Sequence, residues 1–136
     1  MREFLLGFLV FFWYFYKTNT QLFMTESQIQ AVCFKWFHNT HCLEHHSPRC
    51  IIFSVPNGGT RNPLEAITLS STGLLPGVSD LIILTPNRIL FIEVKTEAGT
   101  QSGAQKSFEA RLKTLGYSYY LVRSLDEFKE VVLNNL

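Results

Sequence analysis

Two apolar runs in the middle of the chain constrain its fold more than any other feature. Residues 78–84 and 89–95 are rich in aliphatic side chains, and only the tetrapeptide Thr85-Pro86-Asn87-Arg88 separates them. This pattern predicts a β-hairpin whose loop is either Pro86-Asn87 or all four residues, and Pro86 argues against a type I′ turn. Both faces of the second run are largely apolar, so we expect helices to cover both faces of the sheet. The hairpin therefore predicts an α/β layer architecture.

Capping signals and hydrophobic periodicity predict the other elements. Three motifs with capping-box spacing each precede apolar residues at helical spacing, namely Thr25 with Gln28, Ser102 with Gln105, and Ser124 with Glu127. They predict one helix over about 26–38, a second from the Ser102 motif to residue 115, and a third from the Ser124 motif onward. Residues 50–55 and 117–122 are predicted strands, and 63–70 a short helix. The predicted order is α-β-(α)-β-β-α-β-α, a small mixed sheet with flanking helices in one domain of a 136-residue chain.

Three charged side chains interrupt the apolar pattern at one end of the hairpin. Glu93 and Lys95 project from the same face, because strand side chains alternate. If the hairpin closes symmetrically about its loop, Asp80 lies opposite Glu93, with Cβ atoms about 5 Å apart. A divalent cation such as Mg²⁺ would relieve the repulsion between two such carboxylates, and Lys95 could then orient water or offset charge on a phosphate. The alternative is a salt-bridged strand end without chemistry.

An ordered set of short motifs points to one protein family. The set comprises Asn57-Gly58-Gly59, Gly73 with Pro76-Gly77-Val78-Ser79-Asp80-Leu81, Phe91-Ile92-Glu93-Val94-Lys95-Thr96, Ser102-Gly103-Ala104-Gln105, and Leu115-Gly116-Tyr117. In this order the motifs resemble the virus-type replication-repair nuclease (VRR-NUC) domain, a branch of the PD-(D/E)XK nuclease superfamily. The resemblance covers nearly everything from Glu26 to about Phe128. It implies a restriction-endonuclease-like core within residues 24–136.

The resemblance also implies which residues form the site. Those implied for catalysis are Asp80, Glu93, Lys95, Gln105 and Glu26. The implied ligands of Mg²⁺ or Mn²⁺ are Asp80, Glu93 and the backbone carbonyl of Val94. From spacing alone two of these residues have an alternative reading. Gln105 could face the sheet or serve as the third helical residue of a capping box, and Glu26 could reach the site or simply favour the helix dipole.

The function implied by the resemblance is that of a metal-dependent endonuclease acting on branched DNA such as four-way (Holliday) junctions, in phage or bacterial DNA repair. Two symmetric cuts need two copies of one site, so a homodimer is implied. A catalytically silent module that positions DNA for a partner nuclease is the alternative. The net charge of +1 does not itself indicate DNA binding. Candidate phosphate contacts are Lys35, Arg49, Arg61, Lys106, Arg111 and Lys113.

The beginning of the chain is a hydrophobic leader over residues 1–23. Its apolar run, residues 4–16, is shorter than the roughly 20 residues of a membrane-spanning helix, so we expect no stable span. We favour a true translation start at Met24, and a signal peptide or a peripheral anchor is the alternative. Cytoplasmic localisation is the corresponding expectation.

Cysteine and histidine are concentrated in one polar segment between the first helix and the first strand. The residues concerned are His38, His41, Cys42, His45, His46 and Cys50. Their spacing fits no standard zinc site, so we expect a solvated loop. The odd number of cysteines, with Cys33 as the third, favours reduced thiols.

Overall fold

The computed structural model describes residue 13 and the ranges 24–56 and 62–136. The rest of the leader, the Asn57-Gly58-Gly59 turn and Arg61 lie outside the described residues. Within these ranges the elements follow the predicted order. They are α1 (Glu26–His41), β1 (Ile51–Ser54), α2 (Pro63–Ser71), β2 (Leu81–Leu84), β3 (Ile89–Val94), α3 (Gly103–Thr114), β4 (Ser118–Val122) and α4 (Leu125–Leu133).

The strands form one mixed sheet in the order β1-β2-β3-β4. β2 pairs antiparallel with both β1 and β3, whereas β4 runs parallel to β3. Leu81 lies opposite Ile92, and Leu84 lies opposite Ile89, so the hairpin closes symmetrically about a four-residue loop, which is the condition on which the expected position of Asp80 depends. The parallel β3–β4 pair requires a crossover connection, and α3 supplies it. The expected α/β class with a small mixed sheet is confirmed.

Helices cover both faces of the sheet, as the apolar character of β3 predicted. On one face α1 and α4 bury Phe37 and Phe128 against Leu90, Ile92 and Val94, all fully buried. On the opposite face α3 packs with a smaller cluster formed by Phe108, Leu112, Tyr119, Phe91 and Val78. The face of β3 that carries Glu93 is therefore the α3 face.

Helix α1 ends at His41, three residues beyond the predicted end at His38. The polar residues of this last turn are tolerated because the Cys42 N–H donates to the His38 carbonyl, 3.0 Å away, and closes the helix. The expectation of a solvated loop is wrong for the cysteines. Cys42 and Cys50 are 6% exposed each and belong to the main core.

Two of the three capping boxes form completely, around Thr25 and around Ser102. The third is incomplete. The Ser124 side chain accepts from the Glu127 N–H at 3.1 Å, but the Glu127 carboxylate accepts from the Arg123 N–H at 2.7 Å instead of that of Ser124. The Ser124 side chain therefore still satisfies the Glu127 N–H in the first turn of α4, while the reciprocal bond goes to the residue before the cap.

The three cysteines are buried and form no disulfide, in agreement with the expected reduced thiols. Burial raises the pKa of the Cys33 thiol to about 12, so it is protonated at neutral pH. No helix in the described part of the chain combines the length and the apolar character needed to cross a membrane.

Candidate active site

The five side chains expected at the site meet at one end of the sheet. Asp80 immediately precedes β2, Glu93 lies in β3, and Lys95 is the first residue after that strand. Gln105 lies in the first turn of α3, and Glu26 is the first residue of α1. The hairpin register explains the first three, whereas the two helix starts approach them only through tertiary packing.

Glu93 is the centre of this arrangement and is fully buried. Its Oε1 lies 2.8 Å from the Lys95 Nζ and also accepts from the Gln105 Nε2. Its Oε2 accepts from the Tyr119 hydroxyl at 3.3 Å. Burial raises the pKa of the Glu93 carboxyl, and the hydrogen bond from Lys95 opposes that rise. A carboxylate removed from water requires such donors, because desolvating an unpaired charge costs several kcal/mol.

Both sequence-based interpretations of Gln105 hold at once. Its side-chain Oε1 accepts from the Ser102 N–H at 2.8 Å and so completes the capping box of α3. Its Nε2 donates to Glu93. Because a backbone N–H must be met by the amide oxygen, the capping bond turns the amide nitrogen towards the carboxylate. The start of α3 thus orients a donor into the site.

Asp80 lies beside the end of β3. Its Oδ2 accepts from the Val94 N–H at 2.8 Å, which holds the carboxylate next to the segment that links Glu93 to Lys95. Burial raises the pKa of Asp80, the Val94 hydrogen bond and the positive charge of Lys95 lower it, and the charge of Glu26 raises it further. The two carboxylates expected as metal ligands also repel each other, because the negative charge of Asp80 raises the pKa of Glu93.

Lys95 is the cation that these carboxylates share. It is 7% exposed, and its Nζ also lies 3.5 Å from the Glu26 Oε2. Burial alone would lower the pKa of Lys95, but the hydrogen bond to Glu93 and the negative charges of Glu93, Glu26 and Asp80 raise it overall. Glu26 therefore reaches the site while it occupies the first turn of α1, where a negative charge favours the helix dipole.

The donors at this end of the sheet fit a hard, oxygen-preferring cation. Mg²⁺ is held in proteins by one or two carboxylates, with water and substrate phosphate as its other ligands, and Asp80 and Glu93 provide that number. In the described ranges no three His, Cys, Asp or Glu side chains converge as metal ligands, either at this end of the sheet or in the His/Cys segment. That the segment holds no zinc stays a prediction.

Three residues near the site escaped the sequence analysis. Tyr119 contacts Glu93, and Gln101 Nε2 donates to the Tyr119 hydroxyl at 3.3 Å. The Arg123 guanidinium donates to the carbonyls of Thr96, Glu97 and Gly99, which lie just after Lys95 in the chain. These contacts depend on the parallel β3–β4 pairing, which has no local signal in the sequence.

Two of the candidate phosphate contacts have partners within the protein. Arg49 Nε donates to the Cys42 carbonyl at 2.7 Å, and Lys113 lies 2.6 Å from the Glu109 carboxylate. All five of the described candidates are exposed, but Lys35, Lys106 and Arg111 form no ion pair among the described residues. These three are therefore the better candidates for contact with a polyanion.

Comparisons with known proteins agree with the observed architecture. No family model and no curated protein sequence matches this chain. Among solved structures, a VRR_NUC domain protein shares 23% identity at a TM-score of 0.66, over 83% of this chain and 88% of the other. A second structure, a VRR_NUC domain, shares 16% identity at a TM-score of 0.56, over 83% of this chain and all of the other. At these identities the likeness concerns the fold, and we conclude that this chain has the fold of the VRR-NUC domain.

Proposed function

We propose that this protein is a metal-dependent nuclease that hydrolyses DNA phosphodiester bonds with Asp80, Glu93 and Lys95. One observation carries the proposal. Glu93 is fully buried at the end of the hairpin, where its Oε1 lies 2.8 Å from the Lys95 Nζ and its carboxylate is repelled by the charge of Asp80. A salt bridge made for stability would not need a second carboxylate at the same place, since that carboxylate makes the ionised state of Glu93 less favourable. The likeness to VRR_NUC domain structures supports the same assignment.

The residues of the chain have distinct tasks in this proposal. Asp80, Glu93 and the Val94 carbonyl would hold Mg²⁺ or Mn²⁺, which when bound polarises the phosphoryl oxygen and lowers the pKa of water. Lys95 orients the attacking water and offsets the negative charge that develops on the phosphate. Gln105 holds the Glu93 carboxylate in place, and Glu26 holds the Lys95 ammonium.

The preferred substrate in this proposal is branched DNA, such as a four-way junction, cut in a cytoplasmic setting. A junction has two symmetric strands to cut, and the described part of the chain carries one such site, so a C2 homodimer would place one site at each strand. The exposed Lys35, Lys106 and Arg111 are proposed to contact phosphates. Contacts of this kind give affinity without base specificity.

The proposal is tested by cleavage of a substrate panel with the full chain. We expect junction DNA to be cut faster than flap, single-stranded and linear duplex DNA of the same sequence, in Mg²⁺ or Mn²⁺. Calcium should support binding without efficient cutting, because its longer and looser coordination fails to hold water and phosphate in the attack geometry. Cutting that persists in a chelator, or no cutting with any divalent ion, would contradict the proposal.

Lys95→Ala should reduce turnover strongly and leave metal uptake intact, because Lys95 is not a ligand. Without metal the variant should also melt at a lower temperature, since it leaves the buried Glu93 without its cation. Because bound Mg²⁺ would then offset the Glu93 charge in place of Lys95, Mg²⁺ should bind the variant at least as tightly and raise its melting temperature at least as much as that of the wild type. Lys129→Ala is the matched control, because Lys129 lies over the Trp36 ring, outside the site. Wild-type turnover in Lys95→Ala would remove Lys95 from the mechanism.

A further inference from the structure

The hydroxyl of Tyr119 and the side chains behind it form a chain of hydrogen bonds that ends on Glu93. We propose that Tyr119 is a positioning residue for Glu93, and that Gln101 and Glu109 orient Tyr119 for this task. The inference rests on the proposed function, because it assigns to Tyr119 the orientation of a metal-binding carboxylate. Tyr119 contacts neither the scissile phosphate nor the water in this scheme.

The direction of each bond in this chain is determined by its neighbours. Glu109 Oε2 is an acceptor and takes a hydrogen bond from the Gln101 Nε2 at 2.8 Å. The other N–H of that amide donates to the Tyr119 hydroxyl oxygen at 3.3 Å. The tyrosine proton is then left for the Glu93 Oε2, 3.3 Å away. Tyr119 is thus held as a donor to Glu93 and not as an acceptor.

Glu109, at the outer end of this series of hydrogen bonds, is also fixed in position. Lys113 lies 2.6 Å from the Glu109 Oε1, so one carboxylate oxygen takes the lysine and the other takes Gln101. These contacts lower the pKa of the Glu109 carboxyl, which keeps it an acceptor at neutral pH. Tyr119 is 9% exposed, and its ring packs edge-on against Phe108, with centroids 6.4 Å apart. Its hydroxyl therefore has little freedom to turn away from Glu93.

The consequence concerns the oxygen of Glu93 that is available to a cation. Oε1 already accepts from both Lys95 and Gln105, whereas Oε2 accepts from Tyr119 alone among the described residues. Oε2 has the larger remaining capacity to bind a cation, and Tyr119 is the group that fixes its direction. Partners of this kind commonly contribute about 10- to 100-fold to metal affinity.

Binding of Mn²⁺ alone, measured by electron paramagnetic resonance on the full chain without DNA, tests the assignment. We expect Tyr119→Phe to weaken Mn²⁺ binding about 10- to 100-fold. Tyr120→Phe is the matched control, because it removes a neighbouring tyrosine hydroxyl bonded to Asn135 at 3.0 Å, away from Glu93. Tyr119→Phe loses the bonds to Glu93 and from Gln101, and Tyr120→Phe loses the bond to Asn135, so thermal melting should fall in both variants while Mn²⁺ affinity falls only in Tyr119→Phe.

A second variant tests whether Gln101 acts through Tyr119. Gln101→Leu should weaken Mn²⁺ binding less than Tyr119→Phe, and combining the two should weaken it no further than Tyr119→Phe alone. If the two substitutions lower Mn²⁺ affinity independently, so that their fold-losses multiply in the double variant, Gln101 does not act through Tyr119. Wild-type Mn²⁺ affinity in Tyr119→Phe would overturn the role of Tyr119 and leave the nuclease proposal standing. A wild-type protein that binds no Mn²⁺ at millimolar concentration would overturn both.

Discussion

Asp80→Asn and Glu93→Gln are each expected to slow cleavage of a four-way junction by about a thousand-fold or more, a loss of about 4 kcal/mol of transition-state stabilisation. Each substitution keeps the shape of the side chain and removes a charge that a divalent cation needs. DNA binding should persist or tighten, because removing negative charge beside a phosphate cannot weaken electrostatic attraction. Single-turnover cleavage in Mg²⁺ and DNA binding without a divalent cation measure the two effects separately.

The control for both variants is Glu130→Gln, which neutralises an exposed carboxylate on α4. It should cut at the wild-type rate. Thermal melting of all three variants without metal shows whether they are folded. If folded Asp80→Asn and Glu93→Gln both cut like the wild type, the charged end of the hairpin is a salt bridge and the nuclease assignment to these residues falls.

Gly77→Ala is expected to destabilise the protein by about 3 kcal/mol or more, a large share of the stability of a small domain. Gly77 has φ +82°, where a side chain is strained, and an added Cβ would overlap the backbone carbonyl of Ala104 and stand 2.7 Å from the Gln105 nitrogen. Backbone cannot yield as a flexible side chain does, so the start of α3 must move. Because Gln105 lies in that first turn, cleavage should fall as well.

Gly73→Ala separates backbone strain from overlap. Gly73 has φ +100°, and an added Cβ meets nothing within 4 Å. The left-handed conformation alone costs about 1–2 kcal/mol for a residue with a side chain, so this variant should lose only that amount. Urea unfolding followed by circular dichroism gives both free energies. Equal losses in the two variants would show that the approach of the loop to α3 is not the reason for glycine at position 77.

Much of the fold was predictable because its signals are local. The capping motifs at Thr25 and Ser102 start helices where expected, and alternation along β3 separates the Val94 face from the Glu93 face. The hairpin register is consistent with the length of its loop, and it places Asp80 beside Glu93. The predicted end of α1 was wrong because the polarity of the residues after His38 does not prevent one more helical turn, which closes on Cys42.

The sequence by itself therefore determined the elements, the hairpin and the placement of Asp80, Glu93 and Lys95 at one end of it, since each depends on residues that are close together in the chain. Tertiary structure alone decided that Glu26 lies 3.5 Å from Lys95, 69 residues away, and that Gln105 caps α3 and binds Glu93 at once. It also decided that Tyr119 contacts Glu93, because β4 joins β3 in parallel through a crossover helix, and packing sets that register. A turn can specify an antiparallel register locally, whereas a parallel one is chosen by the fit of the intervening helix to the sheet.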